Sequence, residues 1–222
     1  MDSEFKAVRD LMVSGTATSD MNGDITGKIG GNSIILSRCG IGKVNAAVGA
    51  YRIIRDLHPD CIISTGCAGG AAGHVEVMDA VVSKEVTYHD VWCGDGNEYG
   101  QVQGLPARFA GDPVLYGHAL SLKTVTKIHG GLICSGDRFV SDPDEATEIL
   151  RKFPDALAVD MESAAIAQVC CLEGVPFLSF RVISDTPGAE NRYQQYSDFW
   201  SQVGSHSTEV IREFITTLPN TL

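Results

Sequence analysis

Two acidic side chains stand where an apolar neighbourhood makes them conspicuous. Glu162 opens Ser163–Leu172, a segment otherwise rich in alanine, and Asp185 follows Pro176–Ile183, a run of nearly unbroken apolar character. A carboxylic acid in a pocket can protonate a leaving group, and a carboxylate can stabilise a developing cation. Each residue also has a plain structural reading. Glu162 suits a helix N-terminus, where the dipole favours an acid. Asp185 suits an N-cap or Asx-turn, with Thr186-Pro187-Gly188 behind it. Singly, the structural readings are the better ones. With Arg181 at the end of the same predicted sheet, the functional reading becomes competitive.

The elements that must position these groups follow from hydrophobic periodicity. Phe5, Val8, Leu11 and Met12 predict a short amphipathic helix over 5–13. Residues 25–39 read as a hairpin joined at Gly30-Gly31-Asn32. Lys43–Leu57 reads as a buried helix ended by Pro59, and Cys61–Thr65 as a strand stopping at the glycine-rich loop Gly66-Cys67-Ala68-Gly69-Gly70. Further strands are expected at 78–88, 131–135, 157–159 and 176–183, with helices near 113–123, 144–152, 161–172 and 197–217 and a long loop over 89–111. Apolar strands alternating with helices predict an α/β fold, a mixed central sheet flanked by helices, in one domain over 1–222. In such sheets ligands bind beyond the carboxyl ends of the strands. The glycine-rich loop lacks the Gly-Lys-Ser/Thr ending of a phosphate loop and does not match Gly-x-Gly-x-x-Gly.

Composition excludes several classes of function. The 222 residues carry 17 basic and 28 acidic side chains, a net charge of −11, which disfavours a nucleic-acid partner. No apolar run reaches the length of a membrane span, and MDSEFKAVRD is too charged for a signal peptide. Seven cysteines, mostly in apolar runs, predict free thiols in a reducing cytoplasm. Pairs such as Cys170-Cys171 do not fit a zinc site, and nothing calls for a metal, nucleotide cofactor or flavin.

Five motifs occur in order: Cys39-Gly40-Ile41-Gly42-Lys43-Val44, Ser64-Thr65-Gly66-Cys67-Ala68-Gly69-Gly70, Ser135-Gly136-Asp137-Arg138-Phe139-Val140, Val159-Asp160-Met161-Glu162-Ser163-Ala164 and Arg181-Val182-Ile183-Ser184-Asp185. Together they resemble the 5′-methylthioadenosine/S-adenosylhomocysteine nucleosidases of the nucleoside phosphorylase superfamily, over nearly the whole chain. The resemblance implies hydrolysis of an N-glycosidic bond, releasing adenine and a thioribose. It implies that Asp185 protonates N7 of the base, for which it must hold a proton near neutral pH. Glu162 then binds the ribose hydroxyls, Glu4 activates water and Arg181 helps to hold that water. Met161 lies on the sugar face, Phe139 stacks on adenine, and Val140 reads the purine edge through its backbone. Cys67, Ala68, Gly69, Asp160 and Ser184 line the site, and Phe199 is a lid over the 5′ side. His89 lies in the family's loop without a catalytic role. A homodimer is implied, with the loop from Trp92 to Pro106 reaching toward the neighbour's site.

Three departures from the family pattern stand out. An apolar strand usually leads into Met-x-x-Glu, whereas Met1-Asp2-Ser3-Glu4 begins this sequence, so a sheet lacking the usual first strand is expected. Cys67 stands where serine is usual, a weaker hydrogen-bonding partner. Asp160 replaces a glutamate, with shorter reach toward the sugar. The rival functions are a phosphorolytic purine nucleoside phosphorylase, a futalosine-type nucleosidase and an adenine-nucleoside sensor without turnover. The first needs basic residues around a phosphate, which the glycine-rich loop lacks.

Overall fold

The computed structural model describes residues 2–13, 17–20, 23–187, 189, 194–195, 197–199 and 206–219. Helix α1 (Asp2–Arg9) begins the chain, three residues earlier than its apolar spacing predicts, with Glu4 in its first turn and Lys6 and Arg9 in its last, as the dipole favours. A small antiparallel sheet follows, β1 (Thr18–Ser19), β2 (Ile25–Ile29) and β3 (Asn32–Leu36), with the predicted Gly30-Gly31 turn between the last two. Gly30 has φ 59°, the left-handed conformation that such a two-residue turn requires. Then come α2 (Lys43–Leu57), β4 (Ile62–Gly70), β5 (Ala80–Tyr88), β6 (Phe109–Ala110) and α3 (Pro113–Ser121). The chain continues through β7 (Ile128–Ser135), α4 (Pro143–Lys152), β8 (Ala156–Asp160), α5 (Ser163–Glu173), β9 (Phe177–Asp185) and α6 (His206–Thr216). Residues 197–199 are helical, as expected of a closing helix over 197–217, but 200–205 lie outside the described residues.

The main sheet runs β6-β5-β7-β8-β4-β9 and curls back on itself, because β9 also pairs with β5 over Ala80–Val82. It is mixed: β5/β7, β7/β8 and β4/β9 are parallel, while β8/β4 and β9/β5 are antiparallel. Residues of β5 alternate between the two faces, and an irregularity between Ser83 and Glu85 returns Val86 to the face of Val81. Val81 and Val86 pack with Ala46, Ala50 and Ile54 of α2 and the alanines of α5. Ala80 and Val82 pack with Val8 and Met12, with Leu115 of α3, and with Val210 and Phe214 of α6. This is the mixed sheet between helices that the sequence predicts.

The glycine-rich segment differs from expectation: Gly66–Gly70 is not a loop but the second half of β4. Its small residues leave room for close approach. A Cβ on Gly66 would lie 2.6 Å from Arg181 Nη1 and 3.0 Å from Glu4 Oε1, and one on Gly69 would lie 2.6 Å from Pro187 Cγ. Along Ile62–Ala68, β4 pairs with β9 on one side, and among the described residues its other edge gains a partner only where Gly69 and Gly70 meet β8.

One turn carries strain. Asp79 N–H donates to Glu76 O, and Met78 occupies the third position with φ 76°, where glycine is usual. Its own N–H donates to Ile183 O, so β9 holds the turn in place. Met78→Ala keeps that strain and Met78→Gly removes it. The glycine variant is therefore expected to be the more stable of the two by about 1 kcal/mol, or about 2–4 °C in Tm by calorimetry. Equal melting temperatures would mean that the turn relaxes without cost.

Candidate active site

The ends of β4, β8 and β9 converge where Gly69 and Gly70 meet Val159 and Ala158, and around that point a cavity opens. Its volume is about 1280 Å³. A small-molecule pocket usually spans about 300–1,000 Å³, so only part of it is nucleoside-sized. The polar part is lined by the predicted acids and Arg181, with Cys67, Ala68 and Gly69 on the β4 wall and Phe139, Val140 and Met161 opposite. The rest runs beside the edge of β4 that has no strand partner among the described residues, bordered by Ile34, Ile53, Ile62, Ile63 and Ile211 and also by Lys28, Asn32 and Arg38.

Arg181 is 4% exposed. Its Nε lies 2.8 Å from Asp160 Oδ2, and its Nη2 donates to Ser64 Oγ at 2.8 Å and Ser163 Oγ at 3.0 Å. Burial alone would lower its pKa, but Asp160, Glu162 and Glu4 hold it above the ordinary arginine range, so it is a permanent cation. Asp160 accepts from Ser135 Oγ, Ser163 Oγ and Ser163 N–H as well. Both of its oxygens are thus engaged inside the protein. Asp160 lines the cavity as expected, and its carboxylate balances and aims Arg181. A buried ion pair keeps its place only when hydrogen bonds satisfy its remaining groups, and the serines do this.

Glu4 reaches this cluster from α1. Its Oε1 accepts the Cys67 N–H at 2.9 Å, and it shares the space above Gly66 with Arg181. A carboxylate beside a guanidinium, over a glycine that has no side chain, is a place where water can be held and deprotonated. The Cys67 thiol is pushed up to about 12, first by burial and then by Glu4, so it stays neutral at physiological pH and is not a nucleophile.

Asp185, at the end of β9, is 2% exposed and lines the cavity. Ser184 Oγ donates to Asp185 Oδ1 at 2.6 Å and lies 3.3 Å from Ala68 O. Ser184 therefore orients the acid. Glu162 lies at the N-cap of α5, and its Oε1 accepts the Gly42 N–H at 3.0 Å, immediately before α2. The start of α2 thus addresses this carboxylate, whereas the Glu162 side chain makes no capping hydrogen bond to α5 itself. Burial is the largest influence and raises its pKa, Asp160 adds to the rise, and Arg181 and the Gly42 amide oppose it. Phe139 is half-exposed on the rim, and Val140 is buried among Leu132, Cys134 and Val159. Phe199 is buried with Val182 against Cys67 and Met78 and is not among the residues lining the cavity, so the lid expected of it sits behind the Cys67 wall.

The Phosphorylase superfamily model matches residues 24–216. The 5′-methylthioadenosine/S-adenosylhomocysteine nucleosidase of Geobacillus sp. (strain WCH70) is 37% identical, over 98% of this chain and 96% of the relative. The chain belongs to this nucleosidase family. The nucleosidase of Bacillus subtilis (strain 168) is 39% identical over 86% of this chain and 84% of its own. The solved nucleosidase of Neisseria meningitidis, in complex with methylthio-immucillin-A, is 36% identical with a TM-score of 0.88, covering 98% of this chain and 96% of that one. That of Colwellia psychrerythraea, in complex with adenine, is 30% identical with a TM-score of 0.89, covering 100% and 94%.

Within this nucleosidase fold, sequence reasoning missed the buried serines. Ser163 bridges Arg181 and Asp160, while Ser64 accepts from Arg181 alone and Ser135 donates to Asp160 alone; only Ser163 carried a signal, a polar residue opening an apolar helix beside Glu162. His89, for which no role was expected, is buried, and burial lowers its pKa, leaving the ring neutral at pH 7.

Proposed function

We propose that this chain is a hydrolase that cleaves the N-glycosidic bond of 5′-methylthioadenosine and S-adenosylhomocysteine, releasing adenine and the thioribose. The observation that carries the reading is the meeting of Glu4 and Arg181 over Gly66, in the cavity that Asp185 and Glu162 also line. In the proposed reaction the C1′–N9 bond breaks with its electron pair going to adenine, and N7 takes the proton of Asp185. The ribosyl cation is stabilised by ionised Glu162, which also binds the ribose hydroxyls. Water held by Arg181 and Glu4 adds to C1′, and its proton goes to Glu4. Met161 packs on the sugar face, Phe139 stacks on the base, and Val140 offers backbone groups to the purine edge. The charge of Arg181 is already balanced by Asp160, and Glu4 repels an anion, which favours water over phosphate as the nucleophile.

The working unit in this reading is a homodimer in the cytoplasm. Val44 and Val48, one turn apart on α2, are 73% and 63% exposed, and Trp92 in the loop after β5 is 54% exposed. Exposed apolar side chains such as the Val44–Val48 pair are what a second copy would cover. Among the described residues no helix is long and apolar enough to cross a membrane.

The test is adenine release from 5′-methylthioadenosine in phosphate-free buffer and again with phosphate added. Equal release in both buffers is expected. Release only with phosphate would make the enzyme a phosphorylase, and none in either would leave a nucleoside-binding protein.

A further inference from the structure

We propose that Asp90 is a positioning residue that holds the sugar side and the base side of the site in one register, an inference that rests on the nucleosidase reading above. Asp90 lies just beyond the end of β5. Its Oδ1 and Oδ2 accept from Lys43 Nζ at 2.9 and 2.8 Å, and Oδ2 also accepts the Asp137 N–H at 2.9 Å. Asp137 Oδ1 in turn accepts the Lys43 N–H at 2.7 Å. One residue earlier, the Gly42 N–H donates to Glu162. Two consecutive amides at the start of α2 therefore address two carboxylates. One is the group assigned to the ribose; the other begins the Asp137–Val140 segment assigned to the base.

Three features single out Asp90 as the main anchor of this clasp. A lysine at a helix N-terminus opposes the dipole, so Lys43 calls for a local anion, and Asp90 at 2.8 Å supplies it far more closely than Asp137 Oδ2 at 3.9 Å. Gly42 has φ 86°, and a Cβ there would lie 2.8 Å from Asp137 Oδ1, so the close packing of the two loops depends on glycine at this position. The Lys43 and Asp90 side chains are 25% and 18% exposed, shielded enough for the ion pair to resist screening. Lys43, Asp90 and Asp137 are not among the residues lining the cavity, whereas Arg138, Phe139, Val140 and Glu162 are. Asp90 thus acts through its neighbours and not on the nucleoside.

The test compares Asp90→Ala and Asp90→Asn with the wild-type protein. It reads kcat and KM for 5′-methylthioadenosine, calorimetric Kd for adenine and for methylthio-immucillin-A, and Tm. Losing a charge-assisted hydrogen bond shifts affinity by about tenfold or more. Asp90→Ala is expected to raise KM and the methylthio-immucillin-A Kd about tenfold and the adenine Kd severalfold, with kcat changed by less than about threefold. Asp90→Asn retains an oxygen for the Asp137 N–H and loses the charge facing Lys43. Adenine should then bind as in the wild type while methylthio-immucillin-A stays weakened. A lower Tm and fewer active sites, with KM and both Kd values unchanged, would reduce Asp90 to a structural role and overturn the proposal. If the wild-type protein binds methylthio-immucillin-A but releases no adenine, the nucleosidase reading fails while the two Kd values still decide on Asp90. Binding of neither compound overturns both.

Discussion

Asp185→Asn lowers kcat for adenine release by a factor of about 10²–10⁴, the usual worth of a positioned general acid, while the fold and the nucleoside Kd stay close to wild type. The amide fills the same volume and can still accept the Ser184 hydroxyl, which donates to Asp185 Oδ1. What it cannot do is hand a proton to N7, so the base must leave as an anion. Single-turnover release with Kd measured in parallel separates the two effects. A turnover rate equal to wild type would remove Asp185 from the mechanism and leave it as the capping residue that ends β9.

Glu162→Gln should act in two opposite directions. Without the negative charge the ribosyl cation loses its nearest counter-ion, and kcat/KM is expected to fall by about 10²-fold or more. Stability should rise. The folded pKa of Glu162 is raised above the ordinary 4.5, chiefly by burial. The folded protein therefore holds this proton more tightly than the unfolded chain does, and stability falls as pH climbs from the ordinary value through the folded one. Above that window the full cost of the buried charge is present. Glutamine removes the cost and still accepts the Gly42 N–H, so at pH 7 the variant should melt higher, by about 2–4 °C for each kcal/mol relieved. At low pH, where wild-type Glu162 is neutral, the difference should vanish. The acid limb that Glu162 contributes to the wild-type kcat/KM profile should lie above pH 4.5 and be absent from the variant. A variant damaged in neither affinity nor rate would leave Glu162 with only its place at the start of α5.

The strands were legible because burial on both faces demands apolar runs, and β5, β7, β8 and β9 lie within a few residues of where those runs predict them. The Gly30-Gly31 hairpin was legible because its turn needs a residue type. Gly66–Gly70 was misread for the same reason: glycine normally marks a loop, and only the neighbours pressing on it, Arg181, Glu4 and Pro187, explain why it is strand. Those neighbours lie far away in sequence. The antiparallel closure of β5 on β9 is likewise a long-range pairing with no local signature. In the site, Asp185, Glu162 and Arg181 stood out as polar groups at the ends of apolar runs. The engagement of Asp160 did not, since its partner Arg181 belongs to another strand. Lys43, a cation set against the helix dipole, was a local cue to an anion nearby that went unread.

The order of the strands along the chain also decides when this site can come into being. Ile62 of β4 pairs with Phe177 of β9, about 115 positions later, and β8 meets β4 only after about 90. At roughly 5–20 residues per second of synthesis, β4 waits several seconds for its main partner. Such non-local pairing also slows folding once the chain is complete. Arg181 and Asp185 both arrive on β9, the last strand of the sheet. An interrupted polypeptide therefore has neither the cation nor the acid, and during biosynthesis the activity should switch on as a whole, with no partly competent fragment before it.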